Sequence, residues 1–161
     1  MLRKVPYVPI DTELMREVFK YMNVEKGDSF IDIGSGDGKV VCWVAKEFPK
    51  VKIYKGVEVS SSLVFFSRIR RLLSKQKEKI DFEKKNALEF DYSKFNKVYM
   101  YLLSGFIEEI MFVLQEQLPR GAVVVSPIFA IPEDFKKFGE LTVKKIEIRG
   151  KIKQLYIWKK K

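Results

Sequence analysis

The chain has no histidine and a single cysteine, Cys42. Without histidine, a Ser-His-Asp or Cys-His relay has no base, and most transition-metal sites lose their commonest ligand. One thiol builds neither an internal disulfide nor a four-cysteine zinc site, so no metal centre is expected. Acidic residues are the minority, 21 against 31 basic ones, and the formal net charge is +10. That imbalance favours anionic partners such as nucleic acid, although lysine-rich surfaces are also common in thermophilic proteins. Long hydrophobic runs are missing too. No apolar stretch approaches the ~18 residues of a membrane span, and the opening MLRKVPYVPID lacks a signal-peptide core. A cytoplasmic protein with no membrane partner is the expectation.

What is present is enough for one packed domain. The 161 residues are 47% apolar and include 13 Phe, 7 Tyr and 2 Trp, and a chain of this size buries about 68–70% of its unfolded surface. Runs of strand length at Ser29 to Ile33, Lys52 to Val57, Ile80 to Glu83, Lys97 to Tyr101 and Ala122 to Ser126 alternate with helical patterns. Alternation of that kind predicts an α/β fold with a doubly wound, mostly parallel sheet and helices on both faces. Leu141 to Ile148 and Ile152 to Trp158, joined across Arg149-Gly150-Lys151, read as a C-terminal antiparallel hairpin that brings the sheet to seven strands. Serines 60 to 62 offer caps to a helix carrying Leu63, Phe66, Ile69 and Leu73, and Ser104 to one carrying Phe106, Ile110, Val113 and Leu114. Both apolar stripes are expected in the core. Pro119 and Gly121 stop the second helix.

The chemistry concentrates where the first strand runs into Gly34-Ser35-Gly36-Asp37-Gly38 and then a helix from Lys39 to Phe48. Glycines let a ligand approach the backbone, and the helix start offers it free N–H groups. A nicotinamide-dinucleotide loop would carry glycine at position 39, where this chain has lysine. Asp32 and Asp37 flank the loop; two carboxylates suit a ligand bearing ammonium and sulfonium groups better than a pyrophosphate. Glu58, at the end of the second strand, stands where a carboxylate accepts both hydroxyls of a ribose. After the third strand, Asn86 and Ala87 either meet an adenine edge, or Asn86 is a helix cap.

These segments resemble the seven-strand, Rossmann-like methyltransferases that use S-adenosylmethionine. Asp32-Ile33-Gly34-Ser35-Gly36-Asp37-Gly38 looks like their first motif, Glu58 like their ribose acid, and Leu118-Pro119-Arg120-Gly121 like the turn before their fifth strand. Val5-Pro6-Tyr7-Val8-Pro9 and Val125-Ser126-Pro127-Ile128-Phe129 are similar to the archaeal protein lysine methyltransferases and the related ATP-synthase c-subunit lysine methyltransferases. The resemblance implies S-adenosylmethionine as cofactor, bound by Asp32, Gly34, Ser35, Gly36, Asp37, Glu58, Asn86 and Ala87. It implies protein lysines as acceptors. Because the strands and helices use up the chain and leave no cap to enclose one sequence, a monomer of broad specificity toward lysines of basic proteins, DNA-associated ones among them, is expected.

The chain departs from enzymes of amide and exocyclic nitrogens, which carry Asn/Asp-Pro-Pro-aromatic where this sequence reads Tyr101-Leu102-Leu103-Ser104. Pro6 and Pro9 stiffen residues 1–12 into a strap over the site, with Tyr7 either lining an alkylammonium channel as the catalytic tyrosine or anchoring the tail. Tyr101 and Phe129 are the further channel residues. A methyl on sulfonium leaves a neutral group behind, so alignment and desolvation suffice and no obligate base is expected. The alternative is an RNA or DNA methyltransferase, with Arg68, Arg70, Arg71, Lys75, Lys77 and Lys79 on a phosphate backbone, unless that run is a solvated helix face.

Overall fold

The structure, a computed structural model, describes residues 10–161. Five parallel strands, β1 (Ser29–Ile33), β2 (Ile53–Glu58), β3 (Ile80–Lys84), β4 (Lys97–Met100) and β5 (Val123–Pro127), are followed by an antiparallel pair, β6 (Gly139–Ile148) and β7 (Lys151–Lys160). They form one sheet of order β3-β2-β1-β4-β5-β7-β6. The helices are α1 (Thr12–Met22), α2 (Lys39–Glu47), α3 (Ser61–Leu72) and α4 (Ser104–Gln117). The strands lie within two residues of the positions expected from the sequence. The strap expected over residues 1–12 overlaps α1 at its end, because Asp11 accepts from the Glu13 N–H at 2.8 Å and caps the helix that Thr12 opens. Residues 1–9 lie outside the described part.

Alternate residues of each strand feed two cores. Phe30, Tyr54, Phe82, Tyr99 and Val125 pack beneath α1 and α2, whereas Ile31, Val57, Val98, Met100 and Val124 pack with α4. The turn between β6 and β7 has positive φ at both Arg149 (50°) and Gly150 (72°), the backbone that matches the twist of a two-residue hairpin. β5 ends its pairing at Pro127 opposite Leu155, so Lys151 to Gln154 project past the carboxyl ends of the parallel strands.

Two expectations are corrected. Ser104 does not cap α4; Leu103 occupies the cap position, with no side-chain cap bond. The stripe of Leu63, Phe66, Ile69 and Leu73 is not core either, because α3 buries Val64 and Ser67 and leaves Phe66, Ile69 and Leu73 exposed. The cause is close packing through small residues. A Cβ on Gly38 would lie 2.8 Å from Ser67 Cβ and 2.5 Å from the Phe82 ring, so only a narrow stripe of α3 reaches the sheet. Gly56, on β2, is equally tight: an added Cβ would meet Phe82 at 2.5 Å and the Ser35 hydroxyl at 2.6 Å. Gly56→Ala is expected to cost about 1–3 kcal/mol of unfolding free energy as an overpacked site. An unchanged urea midpoint would show that Phe82 yields freely.

Candidate active site

β1 is the strand from which connections turn outward in both directions, and in such sheets the crevice at the carboxyl ends receives the ligand. The loop after β1 lies there, with positive φ at Gly34 (74°), Gly36 (54°) and Gly38 (78°). Gly34 and Ser35 donate their N–H groups to the Val57 carbonyl at 2.9 and 3.0 Å, which ties the loop to the end of β2. Glu58 completes the tie. One carboxylate oxygen accepts from Gly36 N–H at 3.1 Å, the other from Val59 and Ser60 at 2.8 and 2.9 Å.

Asp32 is buried between Gly56 of β2 and Tyr99 of β4. Burial, then the charges of Glu58 and Asp37, hold its carboxyl well above the usual carboxylate range. Such a group favours the folded state while protonated and loses that contribution as pH rises from the unfolded value through the folded one. Asp32→Asn is therefore expected to raise the melting temperature of the ligand-free protein at pH 7–8 and to flatten its decline with pH. A melting temperature below that of the parent across the range would show Asp32 to be a structural asset rather than a strained acid. Asp37 is engaged differently from Asp32. Its carboxylate pairs with Arg70 of α3, and its carbonyl accepts from Arg70 Nε at 3.0 Å. The pairing ties the glycine loop to α3.

The other expected residues are placed as follows. Asn86 caps the turn Ala87–Glu89, accepting from Leu88 N–H at 3.1 Å and donating to Glu89 at 3.1 Å, and Ala87 is buried. Tyr101 and Phe129 come together at the ends of β4 and β5, ring centroids 5.5 Å apart and tilted by 53°. Burial raises the Tyr101 phenol, keeping it protonated. Phe129 is aimed by a backbone feature invisible in the sequence: Ile128, a β-branched residue, has φ 71°, a conformation costing about 1–3 kcal/mol and concentrated at functional sites. Its N–H is held by the Gln154 carbonyl at 2.8 Å. Burial pushes the Cys42 thiol up to about 11, which leaves it a neutral packing residue.

Tyr7 lies outside the described residues. Two contacts missed by sequence reading hold residues 10 and 11. Lys39, at the position where a dinucleotide loop would have glycine, donates to the Ile10 carbonyl at 2.9 Å, and Arg149 at the hairpin tip pairs with Asp11 at 2.8 Å. Ile10 is thereby anchored at the carboxyl edge, beside the glycine loop.

A glycine loop at the switch point, with an acid closing it from the second strand, is a nucleoside-cofactor site, and the family match and shared fold make it that of a Rossmann-like methyltransferase of the S-adenosylmethionine class. The family model of the ANTKMT methyltransferase domain matches residues 32–136, and the chain belongs to that family of protein-lysine N-methyltransferases. It is 33% identical over 132 residues to a protein-lysine N-methyltransferase of Saccharolobus islandicus (strain REY15A), covering 79% of this chain and 78% of that one. An ATP-synthase c-subunit lysine N-methyltransferase of Xenopus laevis is 31% identical over 134 residues, and there the match covers 81% of this chain but 57% of the relative. An RNA methyltransferase from Salinibacter ruber, solved with S-adenosyl-L-homocysteine, shares the fold with a TM-score of 0.82 at 24% identity, covering 94% and 93% of the two chains.

The cofactor is S-adenosylmethionine, and the residues fit it. The Ser35 hydroxyl is buried in the loop without a hydrogen-bond partner, a state that a polar ligand or water relieves. The nearby acids complement positive charge, and the glycines keep the loop free of side chains.

Proposed function

We propose that the chain methylates lysines of many proteins, basic DNA-associated proteins among them, through an acceptor channel walled by Tyr101 and Phe129. The observation that carries this reading is the packed ring pair at the carboxyl edge, set by the strained Ile128 backbone beside the glycine loop. S-adenosylmethionine, when bound, supplies a methyl group on a sulfonium that departs as a neutral thioether. Glu58 meets the ribose hydroxyls, and the positive charge of the bound ligand favours the ionised form of Asp32, which burial otherwise disfavours. Tyr101 and Phe129 exclude water around the lysine and so favour its neutral, nucleophilic form. Tyr7, between Pro6 and Pro9 in the sequence, is the third residue assigned to the acceptor lysine.

Among the described residues, the loops after β4 and β5 add no further secondary-structure element over this edge before α4 and the short turn Glu133–Lys137, which supports acceptance by access and charge rather than by sequence. Mass spectrometry of several unrelated basic proteins after incubation is expected to show methyl-lysine on each, with Tyr7→Ala and Phe129→Ala slowing turnover at saturating cofactor and leaving cofactor affinity in place. Modification of nucleic acid alone, or of one lysine in one protein, would overturn the reading. The net charge favours RNA or DNA as a second acceptor, yet the basic run offered for it is partly occupied: Arg70 pairs with Asp37, and Arg68, Arg71 and Lys79 donate to carbonyls of Phe82, Lys77 and Pro49.

A further inference from the structure

The exposed apolar face of α3 has no role in the site. Phe65, Phe66, Ile69, Leu72 and Leu73 are 61, 57, 45, 67 and 86% exposed. At positions i, i+1, i+4, i+7 and i+8 they occupy one arc of the helix, opposite the buried Val64 and Ser67. A contiguous patch of this kind marks an interaction surface.

We propose that α3 is an in-plane docking helix for an anionic lipid surface. The charge around the face is complementary to such a surface: Arg68 borders it, and Lys75 and Lys77 follow its carboxyl end, all exposed. A basic border around an apolar arc is the pattern of helices that lie in the headgroup layer. Shape points the same way, since side chains this exposed form a ridge, which inserts into a deformable layer more readily than it accepts a partner helix. A second copy is disfavoured because pairing two such faces brings the same cations together. Nucleic acid phosphates answer the charge and leave the five apolar side chains in water. The sequence-based expectation of no membrane partner rested on the want of a spanning segment. In the described structure no helix is long and apolar enough to cross a membrane, and docking requires none.

The test is co-sedimentation of the purified chain with vesicles of phosphatidylcholine alone and of an equal mixture of phosphatidylcholine and phosphatidylglycerol. Binding to the mixed vesicles and not to the neutral ones is expected. The double variant Phe66→Ser, Leu73→Ser, altered only at exposed positions and checked by its melting curve, is expected to bind at least about tenfold more weakly. Lys75→Gln and Lys77→Gln should each weaken binding about fivefold. Equal binding by the apolar variant would reduce the effect to the attraction of a cationic protein and overturn the proposal. So would failure of the parent to bind, whether light scattering then shows a monomer or a dimer that Phe66→Ser, Leu73→Ser dissolves; the dimer would assign the face to a second copy.

Discussion

Glu58→Ala is expected to weaken S-adenosylmethionine binding by roughly 10- to 150-fold, the worth of a charge-assisted hydrogen bond in a sheltered site. The structure gives this substitution two routes to the same loss. It removes the carboxylate expected to meet the ribose, and it strips the acceptor from Gly36, Val59 and Ser60, whose N–H groups set the loop against the end of β2. Glu58→Gln separates the routes, because the amide keeps one accepting oxygen and loses the charge; its affinity should fall between those of the parent and the alanine variant. Calorimetry is the measurement, with a melting curve to show that the variant is folded. Unchanged affinity in Glu58→Ala would remove Glu58 from the cofactor site.

Methyl transfer at subsaturating acceptor is expected to climb about tenfold per pH unit from pH 6 upward, following the neutral fraction of the acceptor lysine. The chain has no histidine, and burial keeps the Tyr101 phenol protonated, so neither supplies a base titrating in this range. A desolvating channel should bring the plateau below about 10.4, the ordinary lysine value. Because the ligand-free fold loses stability as Asp32 ionises, the profile is taken with saturating cofactor, with circular dichroism at each pH. A flat profile with chemistry rate-limiting would overturn unassisted displacement and point to a dedicated base, Tyr7 or one of the acids assigned to the cofactor.

The sheet was legible because its strands are short, β-branched and separated by helices of the right length, which leaves few topologies open. The glycine loop and Glu58 were legible because residue type and chain position coincide there. The face of α3 was misread for a physical reason: its apolar periodicity is genuine, but Ser67 is small enough for close approach to Gly38 and Phe82, and Arg70 is drawn to Asp37. Amphipathic spacing reports that a face is apolar, and the partner decides whether it is inside. What Lys39, Arg149 and Ile128 do was not legible, because it depends on contacts across 29 to 138 residues of chain or on one backbone angle.

The sheet order sets a constraint on how the molecule assembles. β7 is made after β6 yet lies between β6 and β5, so while the chain is being synthesised β6 has no strand to join and β5 no neighbour on that side. The Arg149-Gly150 turn lets β6 and β7 close locally, and the finished ribbon can then dock against β5 as a unit. Until it does, the Gln154 carbonyl is not available to hold Ile128, and Arg149 has not reached Asp11. The end of β5 thus depends on contacts from the last strand, whereas the glycine loop is tied by residues 57 to 70.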